Sequence, residues 1–227
     1  KEFKKKLKIS INFIVIKETI NDRLLPWYHH NLFRRLYKNK KITHFAYLED
    51  DILLTKDNFN YWVNSRELLK KFNFIPAFVR TETNLKNKEI YAIDFLKKNR
   101  IKEIPKININ DNYDFLNHKY PYQGMYLYDR KLIKEYLFGP SSNPDCGHGA
   151  FNEKYINKKM IYFDLLAKAN IGLIYIDVPK GFFSRAFLVY NKKDNMVDNS
   201  CCIKHLSEKY SNIKSPFGNI KLEEAIK

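Results

Sequence analysis

No run of apolar residues in this chain approaches the roughly 20 that a membrane-spanning helix needs. A spanning segment is thereby excluded, and a soluble cytoplasmic protein, at most peripheral at a membrane, is expected. Cysteine is scarce. Cys146, Cys201 and Cys202 form an odd count with one adjacent pair, a poor basis for a disulfide framework, and no CxxC or Cys/His cluster has zinc-site spacing. Internal repeats, low-complexity tracts and convincing linkers are also missing, so residues 1–227 read as one domain, long enough to bury a substantial core. Acidic residues are few: 25 Asp and Glu face 41 Lys and Arg, a net charge of +16. That balance favours nucleotide phosphates, nucleic acid or an anionic membrane surface as partners. The lysines are scattered and no nucleic-acid-binding motif appears, so a nucleic-acid partner is not expected.

What the chain does have is apolar and aromatic weight, 44% hydrophobic with 15% Phe, Trp and Tyr, as in a folded globule. Its most informative stretch is Phe45-Ala46-Tyr47-Leu48-Glu49-Asp50-Asp51-Ile52-Leu53-Leu54. A short apolar strand that ends in three carboxylates is a common way to hold a hard divalent cation. Adjacent carboxylates repel one another, and a cation or basic neighbours offset that cost. A solvated acidic turn is the plainer reading.

Periodicity predicts a strand over 7–16 and a helix over 26–38 with Pro26 in its first turn. A strand over 42–48 follows, then a helix over 57–70 with Asp57 as N-cap. Residues 74–79 read as a strand, and the polar stretch 84–118 holds strand candidates at 89–93 and 101–109. Beyond the aromatic run 120–128, a helix over 129–138 is expected with Asp129 as N-cap, then a loop over 139–149. A helix within 152–169, a strand over 171–178 and a turn at 179–181 complete the reading. Alternating strands and helices imply an α/β fold with a mostly parallel sheet, in which ligands bind beyond the carboxyl ends of strands. The acidic triplet lies at such an end.

Taken together, Trp27-Tyr28-His29-His30-Asn31-Leu32-Phe33, Tyr47-Leu48-Glu49-Asp50-Asp51-Ile52, Lys56-Asp57-Asn58-Phe59-Asn60-Tyr61-Trp62 and Tyr122-Gln123-Gly124-Met125-Tyr126-Leu127 resemble motifs of GT-A-fold, nucleotide-sugar-dependent glycosyltransferases. The likeness is to N-acetylglucosaminyltransferases that carry an acidic EDD form of the DxD motif, and it spans about 26–166. It implies a GT-A-like, Rossmann-like fold, with a donor and metal half over about 1–83 and an acceptor half over about 84–227. It further implies a nucleotide-sugar donor, a carbohydrate or lipid-linked glycan acceptor, Mn²⁺ or Mg²⁺ as cofactor, and inversion at the transferred sugar as the stereochemical expectation. One departure is that GT-A enzymes begin with several β/α units, whereas this chain, opening at Lys1, has one strand before the acidic one. Either upstream strands are missing or the nucleotide half is minimal.

The resemblance makes Asp51 the metal ligand and His205 a second one. Glu49 and Asp50 would contact donor or metal-bound water, with Lys204, Lys209 and Arg185 available to phosphate. The base that takes the acceptor proton falls to Glu153, with Asp145 as fallback. Arg80 and Glu82 would touch a substrate or form a surface ion pair, His148 would sit on a lid, and Tyr120, Tyr122, Tyr126 and Tyr128 would stack on sugars or pack the core. The alternatives are a basic nucleic-acid-binding or nuclease-like protein, or an inactive GT-A-like carbohydrate-binding module.

Overall fold

The computed structural model describes residues 14–16, 22–95, 98–143, 165–212 and 217–226. The expected strand over 7–16 and the start of the helix expected within 152–169 fall largely outside them. Among the described residues are four α-helices: α1 (His29–Tyr37), α2 (Lys56–Leu69), α3 (Arg130–Phe138) and α4 (Leu165–Ile171). The strands are β1 (His44–Leu48), β2 (Ile52–Leu53), β3 (Ile75–Pro76), β4 (Val79–Thr83), β5 (Ile90–Ala92), β6 (Lys106–Asn108), β7 (Tyr113–Asn117), β8 (Met125–Asp129), β9 (Ala186–Asn191), β10 (Met196–Val197), β11 (Cys202–His205) and β12 (Ile220–Lys221). No helix among them is long and apolar enough to cross a membrane.

The fold is α/β, but its sheets are not mostly parallel. β1 and β8 form an antiparallel ribbon, a second sheet runs β10-β9-β7-β6 with β3 added on β9, and a third runs β12-β5-β4-β11-β2. Among the described residues only β3 with β9 and β4 with β11 pair in parallel. The expectation failed because no helix separates β4 from β5 or β6 from β7. Tight turns close both hairpins instead, with Asn84 N–H on the Glu89 carbonyl and Ile109 N–H on the Tyr113 carbonyl.

Local chemistry sets the helix ends. Pro26 lies in a 3₁₀ turn, Asp22–Trp27, and α1 starts three residues later than its fixed φ suggested. Thr55, not Asp57, caps α2: its hydroxyl accepts the Asn58 N–H while the Asn58 carboxamide accepts the Thr55 N–H, a reciprocal pair that leaves Asp57 in the first turn. Asp129 caps α3 as expected, accepting the Leu132 N–H at 2.8 Å, and Leu132, Ile133, Tyr136 and Leu137 face inward. The predicted strand over 171–178 is absent. Gly172, at φ +55, ends α4 and the chain then turns through Leu173, Ile174, Tyr175 and Ile176, all buried without a ladder. A short apolar run does not distinguish a strand from buried coil. The strands β7 and β9, central in their sheet, were not assigned from the sequence: β7 carries Asp114 and Asn117 into the interior, which masks its pattern, whereas β9 is a short apolar run, Ala186–Asn191, that was overlooked.

Asn58 does more than cap. Its Nδ2 donates to the carbonyls of Ser200 and Cys202, each at 2.9 Å, and so ties α2 to the start of β11. Asn58→Ala removes a cap and strands two buried carbonyls. It is expected to lower unfolding free energy by roughly 2–4 kcal/mol, read as a lower urea midpoint.

Three imidazoles are held neutral inside the fold. Burial lowers His29 to about 4, and burial with the neighbouring His29 and Arg34 charges lowers His30 to about 3. Burial alone lowers His118 to about 3. The unfolded chain therefore binds protons that the native state refuses from the ordinary 6.5 downward, so stability rises with pH in that window. Acidifying from pH 6.5 to 5 is expected to reduce stability by up to about 1.4 kcal/mol per pH unit for each imidazole. A denaturation midpoint that stays flat over that range would count against all three assignments.

Candidate functional site

The acidic triplet sits in a tight turn between two ladders. β1 pairs with β8 up to Leu48 opposite Met125, and the Glu49 N–H continues onto the Gly124 carbonyl at 2.9 Å. The Ile52 N–H then bonds the Glu49 carbonyl, and the chain pairs at once with β11, Ile52 opposite His205 and Leu53 opposite Lys204. The Leu206 N–H closes the turn on the Asp51 carbonyl at 2.7 Å.

This path sends the three carboxylates in different directions. Glu49 turns inward, where its Oε1 accepts the Tyr122 hydroxyl at 3.0 Å and the Asn170 carboxamide at 2.7 Å. Its expected reach toward a donor is thus replaced by a bracing role. Burial, then the Glu49 charge, pushes the Tyr122 hydroxyl well above its ordinary range, which keeps it a donor. Beneath Tyr122 lies the Arg80 guanidinium, 4.6 Å from the ring centroid. Burial opposes the Arg80 charge, but bonds to Asp94 at 3.0 and 2.8 Å overcome it and hold the group protonated. Arg80 and Glu82 are therefore not a surface pair: both are buried, and each has another partner. Asp50 is exposed. Asp51 approaches His205.

The Asp51 Oδ2 lies 3.0 Å from the His205 Nε2. On the other side of the ring, Nδ1 lies 2.5 Å from the Glu82 Oε1, and Glu82 Oε2 accepts the Ser211 N–H at 2.7 Å. The parallel pairing of β4 with β11, which sets Thr81 opposite Lys204, brings Glu82 alongside His205. Tyr210 stacks on the imidazole, with ring centroids 5.5 Å apart and 24° between planes. With Nδ1 engaged by Glu82, a neutral ring presents its Nε2 lone pair to the Asp51 carboxylate, acceptor against acceptor. Something positive is required there, a proton or a cation.

A proton on Nε2 meets that need as an ordinary 3.0 Å ion pair, and the same spacing is compatible with a shared cation. Two ligands at right angles around an ion with bonds of about 2.1 Å lie about 3 Å apart, which is the edge of a Mg²⁺-like octahedron. Among the described residues no group of three or more His, Cys, Asp or Glu side chains is placed to hold a metal. Asp51 and His205 are the two such side chains that meet at this point. A serine nucleophile fits less well. Ser207 Oγ lies 3.1 Å from Nδ1 and 3.3 Å from Nε2, nearly equidistant, so it is not along either lone-pair direction.

Other expected groups are elsewhere. Arg185 is fully buried and bound to Glu135 and to Asn73, with no face for phosphate, and Ser184 beside it is buried as well. Strand alternation turns Lys204 away from His205, toward Glu208 at 3.1 Å and a groove of about 390 Å³ lined by Leu53, Thr55, Thr81 and Ser200. Lys209 lies over Tyr210 instead. Tyr126 and Tyr128 fill the core, whereas Tyr120 is exposed. Glu153, Asp145 and His148 lie outside the described residues. The contact of Glu82 with His205 was not anticipated, since only the β4–β11 register brings the two together.

The chain matches no protein-family model, no curated protein and no solved structure. The glycosyltransferase likeness therefore rests on the residues quoted above.

Gly124 is the tightest point of the site. Its φ is +60, and an added Cβ would lie 2.6 Å from the Glu49 Oε2 and 3.3 Å from the Ile52 side chain. Gly124→Ala is expected to cost about 1–3 kcal/mol through left-handed strain and displacement of Glu49. A melting temperature equal to that of the wild type would show that the turn does not need the missing Cβ.

Proposed function

We propose that this protein is a metal-dependent glycosyltransferase that moves a sugar from a nucleoside-diphosphate donor to a glycan or other hydroxyl acceptor. The observation that carries the reading is the 3.0 Å approach of Asp51 Oδ2 to His205 Nε2. These two residues, far apart in sequence, are the ones that the glycosyltransferase likeness makes metal ligands. In this reading the α/β frame is GT-A-like, and Asp51 and His205 hold Mn²⁺ or Mg²⁺. Such an ion would neutralise charge developing on the leaving diphosphate. Glu49, braced by Tyr122 and Asn170, keeps the turn rigid, and the exposed Asp50 is free to meet donor hydroxyls or metal-bound water. Glu153, or Asp145, would take the acceptor proton. The net charge of +16 supports anionic donors and peripheral contact with an anionic membrane carrying a lipid-linked acceptor.

A screen of nucleoside diphosphates and nucleotide sugars, each with and without Mn²⁺, tests the reading by thermal shift. A ligand at about 100 times its Kd adds about 2.7 kcal/mol, or roughly 5–10 °C for a domain of this size. The shift is expected to require both nucleotide and Mn²⁺ and to vanish in Asp51→Ala, along with sugar transfer. Wild-type turnover by that variant would sink the proposal. Tight, steeply salt-dependent oligonucleotide binding without any nucleotide-sugar shift would favour the nucleic-acid alternative instead.

A further inference from the structure

The strongest unassigned feature beside the Asp51–His205 pair is the carboxylate behind it. The Glu82 side chain is wholly buried at 0% exposure, and no lysine or arginine pairs with it among the described residues. The neighbouring guanidinium, Arg80, is taken up by Asp94. Burying a carboxyl group is costly unless it is hydrogen-bonded, and here the partners are an imidazole and a backbone N–H. Both Glu82 oxygens are used. Oε2 accepts the Ser211 N–H at 2.7 Å, and Oε1 faces the His205 Nδ1 at 2.5 Å.

We propose that Glu82 is a positioning residue that fixes the tautomer and the orientation of His205, so that Nε2 is presented as a metal donor toward Asp51. This rests on the metal-site reading above. Oε2 acts as an acceptor, and Oε1 is left to accept from Nδ1–H. With its proton on Nδ1, the neutral ring has its lone pair on Nε2, the atom 3.0 Å from the Asp51 carboxylate. A carboxylate that takes the far N–H of a ligating imidazole fixes the ring and raises its basicity as a ligand. Tyr210, stacked on the ring, restricts its rotation. The Ser211 bond has a second effect, because the same carboxylate that aims His205 also anchors the backbone that follows it. Asn84 and Asn212 extend that anchor: the Asn84 carboxamide donates to the Ser211 carbonyl, and the Leu85 N–H donates to Asn212 at 2.9 Å.

The test uses the full chain in three forms: wild type, Glu82→Gln and Glu82→Asp. Mn²⁺ dissociation constants come from the electron paramagnetic resonance signal of free Mn²⁺, and the His205 tautomer comes from ¹⁵N–¹H imidazole correlations without metal. Expected are Nδ1–H in the wild type and Mn²⁺ binding weakened roughly 10- to 100-fold in Glu82→Gln, with partial recovery in Glu82→Asp. Glu82→Gln with Mn²⁺ affinity and tautomer both unchanged overturns the proposal. Nε2–H in the wild type overturns it without any variant, which keeps the test decisive if Glu82→Gln does not fold. A wild type that shows Nδ1–H but binds no Mn²⁺ overturns the metal role while the orienting role of Glu82 stands, so the two failures are told apart.

Discussion

A two-residue antiparallel ladder, Ile52-Leu53 against Lys204-His205, is the contact on which the acidic end of the molecule depends. It is short, but β11 is locked from its other side by parallel pairing to β4, and from its start by Asn58 of α2. Strand alternation then does the sorting: Ile203 and His205 point inward and Lys204 outward. Without this ladder Asp51 would not meet His205, whereas the pairing of β11 with β4 keeps Glu82 on the other side of the ring.

Charge inside the fold is distributed on the same logic. Arg66 with Asp129, Arg80 with Asp94 and Arg185 with Glu135 place guanidinium groups inside the fold. Buried ion pairs add little net stability, because desolvation offsets their attraction. Their use here is positional. Arg80, held by Asp94, supplies a fixed positive plane beneath Tyr122, which in turn braces Glu49.

The sequence made the local features legible and hid the distant ones. The end of β1 in three carboxylates, the Asp129 cap and the inward face of α3 could be read directly, because each depends on neighbours within a few residues. The pairing of Asp51 with His205 was anticipated only through a family likeness. The antiparallel character of the sheets, the buried fate of Arg185 and the place of Glu82 depend on register across long separations, which periodicity does not encode. The unequal fates of the three carboxylates follow from Gly124, whose missing Cβ lets Glu49 fold inward.

The two flanks of the acidic turn are held by unlike forces. On the Asp51 side the restraint is a backbone ladder inside a five-stranded sheet. On the Glu49 side β1 and β8 stand as a two-stranded ribbon, an arrangement that is marginal alone. Stacked and edge-on rings cover it: Phe33 on Phe45, Tyr47 on Tyr126, and Tyr126 on Tyr136. The two flanks nevertheless share one hydrophobic core, in which Phe45 and Tyr126 join Ile52 and Ile203. A side chain lost from that core would therefore loosen the acidic turn from both sides at once.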